Sequence, residues 1–117
     1  MVTLNKIKKY ETTSDLEKFV KEEIIYQLEG YDKAEDFFND LFNHGCVSGM
    51  IGSLIYYTDT KKFYTDFSSE IDDLIDEAEE STGEPLQFKT PKTNSMAWFG
   101  FEETARHIYS ECGGEEW

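Results

Sequence analysis

The chain has 117 residues, enough for one domain with a packed core and no need of disulfides or a metal. Apolar residues make up 38% of it and aromatics 15%, while 25 acidic residues against 11 basic ones leave a formal charge of −14. That charge opposes direct binding to DNA, RNA or an anionic membrane, and Arg106 is the only arginine available as a bidentate reader of phosphate.

No stretch approaches the ~18 consecutive apolar residues of a membrane helix, and the start Met1-Val2-Thr3-Leu4-Asn5-Lys6 lacks the apolar region of a signal peptide. The expectation is a single acidic helical domain over residues 1–117 in the cytoplasm, with Cys46 and Cys112 as free thiols.

The stretch Val2 to Tyr10 alternates weakly and carries three lysines, so it reads as a short strand, a fraying arm or an extra turn of helix. Ser14-Asp15-Leu16-Glu17 has the form of a capping box, with Ser14 as N-cap and Glu17 reaching back. Leu16, Phe19, Val20, Ile24, Leu28 and Tyr31 then fall on one helical face, and Gly30 is a C-terminal stop. Asp32-Lys33-Ala34-Glu35 suggests a similar cap with Asp32 as N-cap, followed by Ala34, Phe37, Phe38, Leu41 and Phe42 up to Gly45.

Ser48 caps a third, shorter helix with Val47, Met50, Ile51, Leu54 and Ile55 as its apolar face. Gly49 and Gly52 within it suit a close approach by another element better than a phosphate loop, which would want a lysine. The longest helix is expected from Thr60 to Ser81, because Phe63, Tyr64, Phe67, Ile71, Leu74, Ile75 and Ala78 keep the helical period, with Gly83 and Pro85 ending it. Residues 84–94 hold both prolines and read as a loop with a short extended piece at Leu86 to Phe88. A last helix, capped by Asn94 or Ser95 and with Gly100 able to delay its start to Phe101, buries Trp98, Phe101, Ala105, Ile108 and Cys112 before Gly113-Gly114. The sum is a mainly α fold: a compact bundle of about five helices, with a short N-terminal strand or small hairpin as the only β option.

No catalytic or metal motif emerges, and no cofactor is expected. Asp72-Asp73-Leu74-Ile75-Asp76 has the aspartate spacing with which prenyl and terpenoid synthases hold magnesium and a diphosphate, but there is no second acidic motif and no set of arginines to clamp the diphosphate. His44, Cys46, His107 and Cys112 are ligand types for zinc at the wrong spacing, and a Cys46–His107 nucleophile pair has no support beyond residue type.

The acidic run Glu70, Asp72, Asp73, Asp76, Glu77, Glu79, Glu80 and Glu84 carries more information. It crowds the C-terminal half of the long helix, against the preference of the helix dipole for acids first and bases last. Glu70, Asp73, Glu77, Glu80 and Glu84 follow at three- and four-residue steps, which places their charges about 5–6 Å apart on the face opposite the apolar residues. Such a row can occupy lysines and arginines that would otherwise track a phosphate backbone. A solvated outer face is the competing reading.

Ala34-Glu35-Asp36-Phe37-Phe38-Asn39-Asp40-Leu41, Gly45-Cys46-Val47-Ser48-Gly49-Met50-Ile51 with Leu54-Ile55-Tyr56-Tyr57-Thr58-Asp59-Thr60, and Ala97-Trp98-Phe99-Gly100-Phe101-Glu102-Glu103-Thr104-Ala105-Arg106 resemble small acidic proteins encoded by phages and mobile elements of Gram-positive bacteria. The resemblance implies an inhibitor of host defence, antirestriction or anti-CRISPR, that fills a groove meant for nucleic acid. The expected partner is the basic surface of a nuclease or restriction complex, bound by nucleic-acid mimicry and without direct contact to nucleic acid or membrane. The alternative is a regulatory module that binds another protein through an apolar or aromatic groove, with Tyr56, Tyr57, Phe99 and Trp117 as its exposed aromatics. An enzyme ranks last.

Overall fold

The computed structural model describes residues 2–44, 60–88 and 92–114. Among them lie six helices: α1 (Leu4–Lys9), α2 (Asp15–Leu28), α3 (Ala34–His44), α4 (Thr60–Asp66), α5 (Ser68–Thr82) and α6 (Lys92–Glu111). No strand occurs among the described residues, so the mainly α expectation holds and the N-terminal stretch is a turn and a half of helix. The third expected helix, around Ser48 to Ile55, lies outside the described residues.

The ends of the helices show how local chemistry sets their lengths. Thr3 caps α1 by accepting from the Lys6 N–H, and Ser14 caps α2 by accepting from the Glu17 N–H. Glu17 itself reaches one residue further back than a capping box requires: its carboxylate takes the Thr13 N–H at 3.1 Å and the Thr13 hydroxyl at 3.1 Å. Gly83, at φ 76°, ends α5, and α6 closes on Gly113 at φ 92°. There the Gly114 N–H reaches the Tyr109 carbonyl and the Gly113 N–H the Ser110 carbonyl, the paired bonds of a Schellman motif.

Three expectations change. The helix expected from Thr60 to Ser81 is bent at Phe67, whose φ of −116° and ψ of 20° separate α4 from α5. Hydrogen bonds from the Phe67 N–H to Phe63 and from the Ile71 N–H to Phe67 bridge the bend, which lets the Phe63 and Phe67 rings both reach Phe19. An unbroken apolar period cannot reveal such a bend, because the periodicity resumes on the far side. The α3 cap is also different: the helix begins at Ala34, and Glu35 serves two other elements rather than the Asp32 turn. Finally, α6 starts at Lys92, before Asn94 and Ser95, and runs through Gly100.

Helix α6 is the axis of the assembly and packs against α2, α3, α4 and α5. Its buried Ala97, Phe101, Ala105, Ile108 and Tyr109 recur at helical spacing, and Cys112 just beyond its end continues the pattern. Phe101 meets Phe19, Phe63 and the half-buried Trp98, while Tyr109 meets Phe38 and Phe42, so two aromatic clusters lie along one helix. One buried cluster extends from Val2 through Ile24, Phe37 and Ile71 to Cys112. At Gly100 α5 comes close to α6: a Cβ there would stand 2.6 Å from Cγ1 of the buried Ile71.

Candidate acidic interface on α5

The outer carboxylates of α5 separate into two kinds. Asp73, Asp76, Glu77 and Glu80 on the helix and Glu84 beyond it are exposed. Asp72 is exposed but accepts a 2.6 Å hydrogen bond from the Tyr64 hydroxyl. That bond first, then burial and the Asp72 charge, pushes the Tyr64 phenol up to about 12.

Glu70 and Glu79 are half-buried and serve the fold. Glu70 Oε2 accepts from the Leu16 N–H at 3.1 Å, so α5 supplies a cap to α2, whose next N–H is taken by Ser14. Glu79 accepts from the Leu86 N–H at 2.9 Å and draws the segment after Gly83 back against the helix. The expected stripe of Glu70, Asp73, Glu77, Glu80 and Glu84 is therefore corrected at its first member, which points at another helix. Of the eight candidate residues, Asp73, Asp76, Glu77, Glu80 and Glu84 are exposed, and among the described residues their carboxylates tie down no other part of the fold.

At the C-terminal end of α5, Asp76, Glu79, Glu80, Gly83, Glu84 and Pro85 line an open concavity of about 500 Å3. No basic residue stands in the last turn of the helix, so the carbonyls of that end and the carboxylates add potentials of one sign. Among the described residues no group of three or more His, Cys, Asp or Glu residues is placed to hold a metal ion. The Asp72-Asp73-x-x-Asp76 spacing brings its first carboxylate to a tyrosine.

Other candidate residues fall elsewhere. Cys112 is a buried free thiol whose Sγ lies 3.6 Å from the Lys6 carbonyl; burial first, then Glu111, raises its pKa, so it is no activated nucleophile. His107 is exposed on α6, with Nε2 3.9 Å from Glu17 and 4.0 Å from Glu111. Cys46, Tyr56, Tyr57 and Trp117 lie outside the described residues, as does any pairing of Cys46. Phe99 is half-buried against Phe88 at 5.9 Å.

Sequence reasoning missed four residues. Tyr26, 68% exposed, is the large exposed aromatic of α2, and nothing in its helical position set it apart. Glu35 takes the Val2 N–H and the Tyr109 hydroxyl. Burial works against the Glu35 charge, but the bonds from Tyr109 and Val2 outweigh it and hold the carboxyl below its usual range. Tyr10 donates to Glu17 at 2.7 Å, and burial, that bond and the Glu17 charge raise its phenol. Glu103 is half-buried on α6, where desolvation lifts its carboxyl, Arg106 partly offsets the lift and Glu102 adds to it. Glu35 and Tyr10 owe their partners to other elements, Val2 and Tyr109 for the first and Glu17 for the second, so no local pattern marked them.

The family model described as Domain of unknown function (DUF7222) matches residues 13–114. The chain belongs to this family. No curated protein and no solved structure matches it. The matched stretch holds α2 to α6 and the entire acidic run, and α1 precedes it. No described helix is long and apolar enough to cross a membrane.

Proposed function

We propose that this member of the DUF7222 family is an acidic binding protein that occupies the basic, nucleic-acid-tracking surface of a nuclease or restriction complex. The observation that carries the reading is the exposed row Asp73, Asp76, Glu77, Glu80 and Glu84, which runs from the middle of α5 to the segment just beyond it, with no basic residue in the last turn of the helix. A helix selected for stability alone would place lysine or arginine there. Charges repeating at about 5–6 Å along one edge can engage several lysines or arginines at once, as a phosphate track does. The resemblance to phage and mobile-element proteins supports a host defence nuclease as the partner, antirestriction and anti-CRISPR activity being the two forms this would take. The protein performs no chemistry in this reading and uses no cofactor.

The test is inhibition. The purified protein is titrated into a panel of restriction complexes and CRISPR nucleases, and their DNA binding is read at rising ionic strength. The expected result is loss of DNA binding by at least one of them, weakening steeply with salt. A variant with Asp73, Asp76, Glu77 and Glu80 changed to lysine loses the effect, whereas one with Glu11, Glu22, Glu29 and Asp32 changed to lysine keeps it. Equal weakening by both variants would mean that only net charge matters. If neither weakens the effect, the acidic face is only solvated and the aromatic-groove reading takes its place.

A further inference from the structure

Helix α1 is attached differently from the rest of the bundle. It precedes the stretch that the family model matches, and its close packing is on α2. Two apolar side chains, Val2 and Ile7, join the buried cluster, and Leu4 and Tyr10 are partly buried beside them. The polar attachments come from three elements: Glu35 of α3 on the Val2 N–H, Glu17 of α2 on the Tyr10 hydroxyl, and Cys112, just beyond α6, on the Lys6 carbonyl. Lys21 adds a 2.7 Å bond to the Tyr10 carbonyl.

Beside the contact of Cys112 with the Lys6 carbonyl, the flank of α1 is open. A cleft of about 430 Å3 opens between Lys6, Lys9 and Tyr10 on one side and Glu111, Cys112 and Gly113 on the other. The outer residues of α1 include Lys6, Lys8 and Lys9, all exposed, in a chain whose net charge is −14. A short basic amphipathic helix thus sits on an acidic body, with apolar side chains inward, lysines outward, and Glu17, Glu35 and Glu111 around its seat.

We propose that the seat formed by α2, Glu35 of α3 and the C-terminal end of α6 is a docking site for a basic amphipathic helix of another protein, and that α1 occupies it in cis as a displaceable strap. The partner's helix would present an aliphatic residue in the place of Ile7 and lysines or arginines in the places of Lys6 and Lys9. This surface is distinct from the acidic row on α5, and its test stands apart from the nuclease reading.

The experiment uses the full chain with Ile7→Glu, which removes the apolar anchor of the strap and leaves the seat intact. Amide hydrogen exchange is followed by mass spectrometry. The expected result is exchange over residues 4–10 faster by roughly tenfold or more, with the amides of Phe101 to Tyr109 protected as before. A synthetic peptide with the sequence of residues 1–12 should then bind the Ile7→Glu protein saturably and the unaltered protein far less, because the strap already fills the seat. The same peptide carrying Ile7→Glu is the control and should bind neither. Loss of protection throughout α6 in the Ile7→Glu protein would show α1 to be an integral part of one cooperative unit and would overturn the proposal. So would failure of the peptide to bind the variant, or equal binding to variant and unaltered protein.

Discussion

Replacing Gly100 by alanine sets two effects of known size against each other. Alanine in a helix interior is favoured over glycine by about 0.8–1 kcal/mol, so a glycine in the middle of α6 is a standing loss that the sequence could have avoided. The structure gives the reason for keeping it. A Cβ at residue 100 would meet Ile71 at 2.6 Å from Cγ1, 3.1 Å from Cδ1 and 3.2 Å from Cγ2. Both branches of a β-branched side chain stand in the way and Ile71 is fully buried, so turning about χ1 exchanges one clash for the other. Overpacking of this kind costs about 1–3 kcal/mol, which exceeds the propensity gain over most of that range. Gly100→Ala should therefore destabilise by up to about 2 kcal/mol, or several degrees in Tm for a chain of this size. With Ile71→Ala in place the obstacle is gone, and the same glycine substitution should stabilise by about 1 kcal/mol. Urea denaturation of the four proteins of the cycle measures the coupling directly. Equal stabilisation by Gly100→Ala in both backgrounds would refute the close approach of α5 to α6.

Two further substitutions test the inward-facing acids. Glu70→Ala removes the acceptor for the Leu16 N–H and should cost about 1–2 kcal/mol in thermal or urea unfolding, whereas Asp73→Ala, one turn along and exposed, should be close to neutral. Glu35→Ala should cost about 1–3 kcal/mol at neutral pH, because it strands the Val2 N–H and the Tyr109 hydroxyl. The folded protein holds the Glu35 carboxyl below its usual value, so the stability it contributes is present above the unfolded carboxyl pKa and is lost as pH falls through the lower folded value. The difference between Glu35→Ala and the unaltered protein should accordingly shrink with acidification; a gap that stays constant down to the acid transition would rule out the charged form as the acceptor.

What could be read from the sequence was local. Ser14 capping α2, Gly83 closing α5 and Gly113-Gly114 closing α6 are signals written within four or five residues, and each lies where the spacing predicted. The apolar periods placed α2, α3 and α6 for the same reason. Two of the misses depend on distant partners. Glu35 and Glu70 each stand in a sequence context that suits another role, a local cap for one and a solvated stripe for the other. Their bonds run to Val2, Tyr109 and Leu16, at separations of 33, 74 and 54 residues. The bend at Phe67 has no proline or glycine to announce it, and Gly100 read as a late start because a close helix contact has no local mark.

The acidity of the chain thus has two physical origins. Glu17, Glu35, Glu70 and Glu79 are acceptors for backbone N–H groups that would otherwise lack partners, and their charge strengthens those bonds. Folding alone is a sufficient reason for them. It is not a reason for Asp73, Asp76, Glu77, Glu80 and Glu84, which repel one another along α5, and of which Glu80 in the last turn and Glu84 just beyond it meet the negative potential of the carbonyl end. At those last two positions the placement costs up to about 0.3–1 kcal/mol each. Solubility does not explain the position, since the same charges on the N-terminal turn of α5 would serve as well and would favour the helix. The proposed binding surface would account for a pattern that folding disfavours and solubility does not locate, and the carboxylates that folding uses, Glu70 bound to the Leu16 N–H and Glu79 bound to the Leu86 N–H, lie on the same helix, one before the row and one within it.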